Sequence, residues 1–424
     1  MIKKSFLLKI FNAACMQRWN DKLRPIELTE MDKQAHKMMI AYILGKMEED
    51  KGEKVNWIRI IEGGIYEYML RAALTDIKPP VFHSIKKQPS RYHEMIDWAY
   101  IVWKPLIGDL EKIFIAENDF RAYHKQNKKN RDRDRNILEA AHILATHWEY
   151  DYLLEQFNQQ DYEMETIKTR HLRESKHWEK EGLSYNGKDL GKLVNFCGQL
   201  RFQVRWAHLH RVPRTSVLGH LLLVAIITYI ISLELGHETK QRYCDKRLYS
   251  NFFTGLFHDL PEALTRDIIS PVKKTGIDKI IKKLEASEMD KKILKYLPDD
   301  AWKDEISLFT GILKDSNGKQ LSEFSDVYLS EGTYMPLSSD DMTKFNENPH
   351  RRRDGKIVAA ADHLAAFIEA FVAIENGCSS RELHEALYTL KSEFNIPTPK
   401  KKTSPPKNYD SPVSRLMREI YSEF

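Results

Sequence analysis

One stretch of the chain limits the possible folds most strongly: the 19 residues 215–233, TSVLGHLLLVAIITYIISL, contain no charged side chain. A segment of this length and hydrophobicity either crosses a bilayer as a helix or lies at the centre of a helical core. His220, Thr228 and Ser232 favour the core, because these polar side chains need hydrogen-bond partners that lipid does not supply. We therefore predict a buried helix and no contact with a membrane.

The rest of the chain is consistent with helices throughout. The 424 residues include only 18 Gly and 16 Pro, and strand-like alternation of apolar and polar residues is scarce. Apolar residues recur at helical spacing in many segments, among them 38–44, 137–154, 248–257 and 357–374. The sequence therefore predicts an all-α protein, long enough for two or three domains with cores of their own.

The charge balance points to an anionic small molecule more than to nucleic acid. Lys and Arg total 66 against 61 Asp and Glu, which gives a formal net charge of +5. A mildly basic surface suits a phosphate-bearing substrate without arguing for nucleic-acid binding. The charged stretch 124–136 is most simply a solvated loop or helix face, so a nucleic-acid partner is not favoured.

Cysteine usage and the N-terminus both bear on the compartment. The four cysteines are far apart and form no CxxC pair, which excludes a zinc ribbon and a disulfide scaffold and fits a reducing cytoplasm. Near the N-terminus, Lys9 interrupts the apolar stretch that a secretory signal would need. We expect a cytoplasmic protein.

The clearest chemical signal is the segment FHDLPEALTRDIISPVK (257–273). The adjacent His258 and Asp259 can give one imidazole nitrogen and one carboxylate oxygen to the same cation. His220 and Asp362 can supply the remaining ligands, because each lies in an apolar helical segment where an unsatisfied polar group is costly. Each alone could be a hydrogen-bonded core residue, whereas the ordered set is more specific. Two His and two Asp suit one divalent transition-metal ion, Mn, Co, Fe, Ni or Zn, rather than Ca.

These residues, in this order, resemble the HD superfamily of metal-dependent phosphohydrolases over roughly residues 197–375. With Arg205-Trp206 before them and the PVK of 271–273 between them, they look more narrowly like the bacterial 5′-deoxynucleotidase branch. The resemblance implies an HD-domain helical bundle. It also implies that one divalent ion is held by the ordered set His220, His258, Asp259 and Asp362.

Five further residues are candidates for substrate binding and catalysis. In the branch that the sequence resembles, Glu262 corresponds to the acidic residue after the HD pair and Asp267 to the aspartate that follows it. Either could position a water or protonate the leaving oxygen; Glu262 is alternatively a solvated helix-end carboxylate, and Asp267 a cap of the next segment. Arg205 and Lys273 are candidate phosphate-binding residues or ordinary surface charges. Trp206 is a candidate for stacking on a base or sugar, or a core residue.

The resemblance implies hydrolysis of a deoxyribonucleoside 5′-monophosphate to a nucleoside and phosphate. Two departures put the substrate in doubt: the SEH triplet of the branch is Leu218-Gly219-His220 here, and its TGD triplet is Thr265-Arg266-Asp267. A dNTP triphosphohydrolase, an oligonucleotide-directed HD phosphohydrolase, and a nucleotide-binding sensor or scaffold without turnover stay open. Residues 263–349 contain no histidine, which argues for one metal ion rather than two.

The two halves of the sequence resemble each other. ALTDIKPPV (73–81) parallels LTRDIISPV (264–272), Arg18-Trp19 parallels Arg205-Trp206, and ILEAAHILA (137–145) parallels IVAAADHLA (357–365). This order places His36 opposite His220, Glu67-Tyr68 opposite His258-Asp259, and His142 opposite Asp362. We predict a tandem duplication whose halves pack as a pseudo-dimer within one chain, the N-terminal copy being degenerate. Oligomers of the whole chain are also possible.

Composition sets the expected boundaries. We predict a degenerate HD-like helical domain over 1–157, a polar connecting segment over 158–190 and the catalytic HD domain over 191–395. A Pro/Lys-rich linker over 396–412 leads to an amphipathic helix over 413–424. The apolar face of that helix is expected to dock on the body of the protein or on a partner subunit.

Overall fold

The computed structural model of the chain describes residues 2–126, 132–158, 162–184, 188–266, 276–338, 341–393 and 411–424. Helices make up most of the described residues, so the all-α prediction is confirmed. The described β-structure comprises one antiparallel hairpin, β1 (Val327–Ser330) and β2 (Thr333–Pro336), and a few isolated bridges.

Helices of the first half and of the connection run along residues 4–180. They are α1 (Lys4–Phe11), α2 (Glu30–Asp50), α3 (Trp57–Leu74), α4 (Pro79–Lys86), α5 (Pro89–Ile107), α6 (Leu110–Ile113), α7 (Glu117–Lys125), α8 (Arg133–Glu149) and α9 (Tyr162–Lys180). A π-helical turn, Tyr150–Leu154, prolongs α8 and accounts for the predicted helix over 137–154. The expected connecting segment 158–190 is more ordered than its polar composition suggested, because α9 occupies most of it.

Helices of the second half run along residues 188–422. They are α10 (Lys188–Gln199), α11 (Val217–Glu238), α12 (Asp245–Phe257), α13 (Glu262–Thr265), α14 (Asp278–Lys292), α15 (Asp300–Phe309), α16 (Gly355–Glu375), α17 (Arg381–Glu393) and α18 (Pro412–Ser422). Short 3-10 turns lie at Asn12–Ala14, Glu155–Phe157, Leu200–Phe202, Leu294–Tyr296 and Asn348–His350.

Helix α11 contains most of the uncharged segment identified from the sequence, and it lies at the centre of the core. Among the described residues, two helices, α11 and α16, are long and apolar enough to cross a membrane; their most apolar windows are 100% and 67% buried in the fold. Ser216 begins α11 by accepting a hydrogen bond from the Gly219 amide, an N-cap that satisfies one of the first free amides. Helices α2, α12 and α16 pack around it.

The two halves meet where α2 crosses α11. The Ser216 hydroxyl donates a hydrogen bond of 2.5 Å to Asp32 Oδ1 of α2, and Asp32 is buried. A Cβ atom at Gly219 would lie 2.8 Å from that same Asp32 oxygen, closer than a side chain tolerates. Glycine at 219 is therefore needed for the close approach of the two halves. The 5′-deoxynucleotidase branch that the sequence resembles has an acidic residue at this position.

Local geometry supports the predicted duplication, which itself stays a prediction. The loop before α2 and the loop before α11 are closed by the same bonds: the Arg18 amide binds Leu28 O, and the Arg205 amide binds Thr215 O. Thr29 caps α2 as Ser216 caps α11. Positive φ angles recur at matching residues, Trp19 with Trp206 and Thr75 with Arg266.

This geometry corrects one detail of the sequence alignment. Counted from the caps, the residue of α2 that corresponds to His220 is Lys33, not His36. Lys33 Nζ contacts His142 Nδ1 at 2.5 Å, as His220 contacts Asp362. His36 points elsewhere, with Nε2 at 2.9 Å from Val194 O. The error came from matching histidine with histidine, whereas the caps fix the register.

The C-terminal helix α18 packs on the body of the protein. The apolar residues predicted for its stripe, Val413, Leu416, Met417 and Ile420, are buried in the main core, and Phe424 packs against Phe367 and Phe371 of α16. Most of the expected linker, residues 396–410, lies outside the described residues.

Candidate metal centre and active site

His220 lies in the first turn of α11 and is fully buried. Its Nε2 is 2.8 Å from Asp362 Oδ1, which comes from the middle of α16. Its Nδ1 is 3.3 Å from Glu369 Oε1, which lies two turns further along α16. The imidazole is therefore held between two carboxylates of one helix face.

His258 and Asp259 follow directly after α12. His258 Nδ1 lies 3.0 Å from the carbonyl of Gly255, which fixes Nδ1 as the donor and turns Nε2 inward. His258 Nε2 is 3.3 Å from Asp259 Oδ2 and 4.0 Å from Asp362 Oδ1. The helix end thus directs the two adjacent side chains to the same point as His220 and Asp362.

The structure brings all four predicted ligands together. One atom from each of His220, His258 and Asp259 falls within 4.8 Å of the others, and Asp362 joins them through the distances above. His258 Nε2 is buried and, within the described part of the chain, makes no hydrogen bond of good geometry. A buried nitrogen directed at two carboxylates is what an unprotonated metal ligand needs, and the N/O donor set fits a divalent transition metal.

Ionisation in the metal-free site reflects this crowding. Burial lowers the pKa of His258, but Asp259 and Asp362 outweigh it and raise that pKa to about 9. Burial raises the pKa of Asp259, but His258 outweighs it and lowers the pKa to about 2. The pKa of Asp362 is likewise held below its usual range by His220 and His258 against the effect of burial. Both carboxylates are therefore charged at neutral pH and available to a cation.

Glu369 is a site residue that sequence reasoning missed. Its fully buried carboxylate accepts hydrogen bonds from Arg205 Nε at 3.2 Å, Trp206 Nε1 at 2.8 Å and Thr215 Oγ1 at 3.0 Å, besides contacting His220. Its spacing of seven residues from Asp362, which places both on one helix face, was the available signal. Glu369 ties the Arg-Trp loop to the imidazole of His220.

Arg205 and Trp206 lie at the edge of the cluster. Arg205 Nη1 is 3.9 Å from Asp259 Oδ2, so its guanidinium bridges Glu369 and the metal-binding side of the site. Trp206 is half-buried, and Arg211 lies over its ring at 5.8 Å from the centroid. The structure therefore places both residues beside the four-residue cluster.

Glu262 lies one turn beyond Asp259, at the start of α13. Its amide donates to the Asp259 carbonyl at 3.0 Å, which keeps it one turn beyond the His-Asp pair, and its side chain is buried. Its own carbonyl accepts from Gln203 Nε2 at 2.9 Å. Asp267 and Lys273, the other two predicted site residues, lie outside the described residues.

Comparison with known proteins agrees with this geometry. Residues 197–392 match a family model described as an HD domain, and this span contains every predicted site residue. No curated protein matches the chain. Residues 197–392 are thus similar to the helical HD domain of a superfamily of metal-dependent phosphohydrolases.

Proposed function

We propose that the HD domain hydrolyses deoxyribonucleoside 5′-monophosphates to the nucleoside and phosphate. The observation that carries the proposal is the shared carboxylate Glu369, which joins the Arg205-Trp206 loop to His220 of the candidate metal centre. A cation ligand and a phosphate-binding guanidinium are thereby held at the two sides of one small site. The resemblance of the Arg-Trp pair to the nucleotide-binding pair of the 5′-deoxynucleotidase branch supports the choice of substrate.

The proposed ligands are His220, His258, Asp259 and Asp362. A divalent ion bound by them would neutralise part of the phosphate charge and lower the pKa of a coordinated water. The protein alone places two negative charges, Asp259 and Asp362, where a phosphate dianion would otherwise be repelled. Phosphate binding therefore requires a cation first, which predicts that substrate affinity depends on metal.

The remaining residues have distinct proposed roles. Arg205 binds a phosphate oxygen from the side of Asp259, because its Nη1 already faces that carboxylate. Trp206, fixed by its indole hydrogen bond to Glu369, borders the sugar or base. Glu262, buried one turn beyond Asp259, orients the attacking water or protonates the 5′-oxygen of the leaving nucleoside.

The test is product analysis on a substrate panel. Deoxyribonucleoside and ribonucleoside 5′-monophosphates, dNTPs and short oligonucleotides are incubated with the full chain and Mn²⁺ or Co²⁺. We expect inorganic phosphate from the deoxyribonucleoside monophosphates. Release of pyrophosphate or triphosphate from dNTPs, with no action on monophosphates, would assign the protein to the triphosphohydrolase alternative.

Matched variants connect the activity with this site. Glu262→Gln should lower kcat by roughly two to four orders of magnitude, the usual contribution of a positioned acid or base. Glu67→Gln, at the corresponding region of the first half, should leave kcat unchanged. Equal activity in Glu262→Gln and the unaltered protein would remove Glu262 from the mechanism.

A further inference from the structure

The first half contains a cluster that corresponds to the candidate metal centre but differs in charge. In the register fixed by the helix caps, Lys33 corresponds to His220, and His142 corresponds to Asp362. The shared positive φ of Thr75 and Arg266, each of whose amides binds the carbonyl four residues earlier, aligns Arg71 with Glu262. One imidazole has thus become an ammonium, and one carboxylate has become a guanidinium.

The His-Asp pair is also replaced. Glu67 stands for His258, and its carboxylate is bound by Lys37 Nζ at 3.2 Å and by the Tyr123 hydroxyl at 2.8 Å. Tyr68 stands for Asp259, and its buried hydroxyl donates to the carbonyl of Ile10. The carboxylates that would attract a metal are therefore either absent or already paired, so this cluster does not suit a divalent cation.

Lys33 has an unusual environment for a lysine, because burial holds the pKa of its side chain well below the usual value. It is fully buried, and within the described part of the chain its Nζ makes one hydrogen bond, to His142 Nδ1. An ammonium has three donors, and a neutral imidazole satisfies one of them without balancing the charge. The carboxylate of Glu30, the acidic residue one turn before it, pairs with Arg18 at 2.8 Å and with Arg71 at 3.6 Å. An anion beside Lys33 would favour the charged ammonium and accept its remaining donors.

The cluster is as accessible as the metal centre. The side chains of Glu67 and Arg71 are 21% and 22% exposed, against 20% and 23% for Asp259 and Asp362 of the metal centre. A small solute that reaches one cluster can therefore reach the other.

The Arg-Trp loop that borders the metal centre is also present in the first half. Arg18 Nη2 and Trp19 Nε1 bind the buried carboxylate of Glu149 at 2.8 and 2.9 Å, as Arg205 and Trp206 bind Glu369. The first half thus keeps the Arg-Trp loop that is proposed to border the phosphate in the second half. The positive charges of the cluster beside it belong to its own side chains.

We propose that this cluster binds a phosphomonoester dianion without a metal ion and without hydrolysing it. Lys33, protonated from solvent when the anion binds, takes the place of the divalent cation. Arg71, which pairs with Glu30 at the mouth of the cluster, supplies a second positive charge. Binding at this site does not depend on turnover in the HD domain, so the first half acts as a phosphate-ligand site within the same chain.

The test uses the full-length chain with the candidate metal centre disabled. The His258→Ala, Asp259→Ala double variant is dialysed against EDTA and titrated calorimetrically with inorganic phosphate, then with a deoxyribonucleoside 5′-monophosphate. We expect saturable binding of about one anion per chain for at least one of the two probes. Failure of both probes to bind would overturn the proposal, whatever the HD domain hydrolyses.

Further substitutions in that background locate the binding. Lys33→Met should weaken binding at least tenfold, the effect of losing a charge-assisted hydrogen bond. Arg71→Gln, at a partly exposed position that folding tolerates more easily, should weaken it several-fold. Lys46→Met, on the same helix but paired with Glu49 and Glu305, is the control and should bind as before. Undiminished binding in either the Lys33 or the Arg71 variant would show that the anion lies elsewhere.

Discussion

Replacing Glu369 by glutamine should weaken both the fold and the metal affinity of the HD domain. The carboxylate is fully buried, and Arg205 and His220 hold its pKa below the usual range against the effect of burial, so it is charged. Removing that charge breaks the ion pair between Glu369 and Arg205 Nε at 3.2 Å, and breaking a buried ion pair in this way costs about 3–5 kcal/mol. The imidazole of His220 also loses the charged carboxylate that lies 3.3 Å from its Nδ1, and loss of such a partner lowers metal affinity by roughly 10- to 100-fold.

The first half offers a matched control for this experiment. Glu149 is equally buried and accepts from Arg18, Trp19 and Arg201, but no candidate metal ligand contacts it. Glu149→Gln should therefore reduce the free energy of unfolding by a similar amount while leaving metal affinity unchanged. Urea denaturation of the metal-free proteins and calorimetric titration with Mn²⁺ or Co²⁺ measure the two effects. Unaltered metal affinity in Glu369→Gln, or an equal loss in both variants, would refute the proposed role of Glu369.

Other consequences can be measured on the same protein. The pKa of metal-free His258 is about 9 and a metal needs the neutral imidazole, so metal binding at pH 7 should release a proton. The apparent metal affinity should therefore rise by up to about tenfold per pH unit toward pH 9. Calorimetry in buffers of different ionisation enthalpy detects the proton release, and a metal affinity independent of pH would contradict the prediction. Burial lowers the pKa of His36 and of His124 from 6.5 to about 3. Between pH 3 and pH 6.5 the unfolded chain therefore binds more protons than the folded protein, and the free energy of unfolding falls as the pH drops below 6.5. Each should cost about 1.4 kcal/mol at pH 5.5, as measured by urea denaturation of the metal-free protein, and a stability equal to that at pH 7.5 would argue against neutral buried imidazoles. Arg266 has a φ of 68°, so Arg266→Gly should raise the free energy of unfolding by up to about 1 kcal/mol, and a loss would show that its side chain stabilises the loop.

Much of the site could be predicted from the sequence because its ligands belong to strongly patterned helices. His220 and Asp362 are polar residues within long apolar segments, where burial without a partner is costly, and the HD pair ends another such segment. Their order along the chain was therefore sufficient to predict that they meet. The all-α fold followed from the same periodicity.

What the sequence did not reveal depended on tertiary contacts. Glu369 resembles any glutamate on an amphipathic helix until its three donors from a distant loop are seen. The correspondence of Lys33 with His220 was hidden because residue identity favoured His36, whereas hydrogen bonds at the two helix caps set the register. Gly219 was taken as the loss of an acidic neighbour, yet its role is to admit Asp32 from the other half.

The central claim, one divalent ion held by the HD domain, is tested most directly by the metal content of the purified protein. The unaltered protein and the His258→Ala, Asp259→Ala double variant are each loaded with Mn²⁺ or Co²⁺ and freed of excess metal. Their metal content is then measured by elemental mass spectrometry. We predict about one ion per chain in the unaltered protein and none in the variant, consistent with the cluster of His220, His258, Asp259 and Asp362 in the described part of the chain. Equal metal content in the two proteins would contradict the assignment of these ligands.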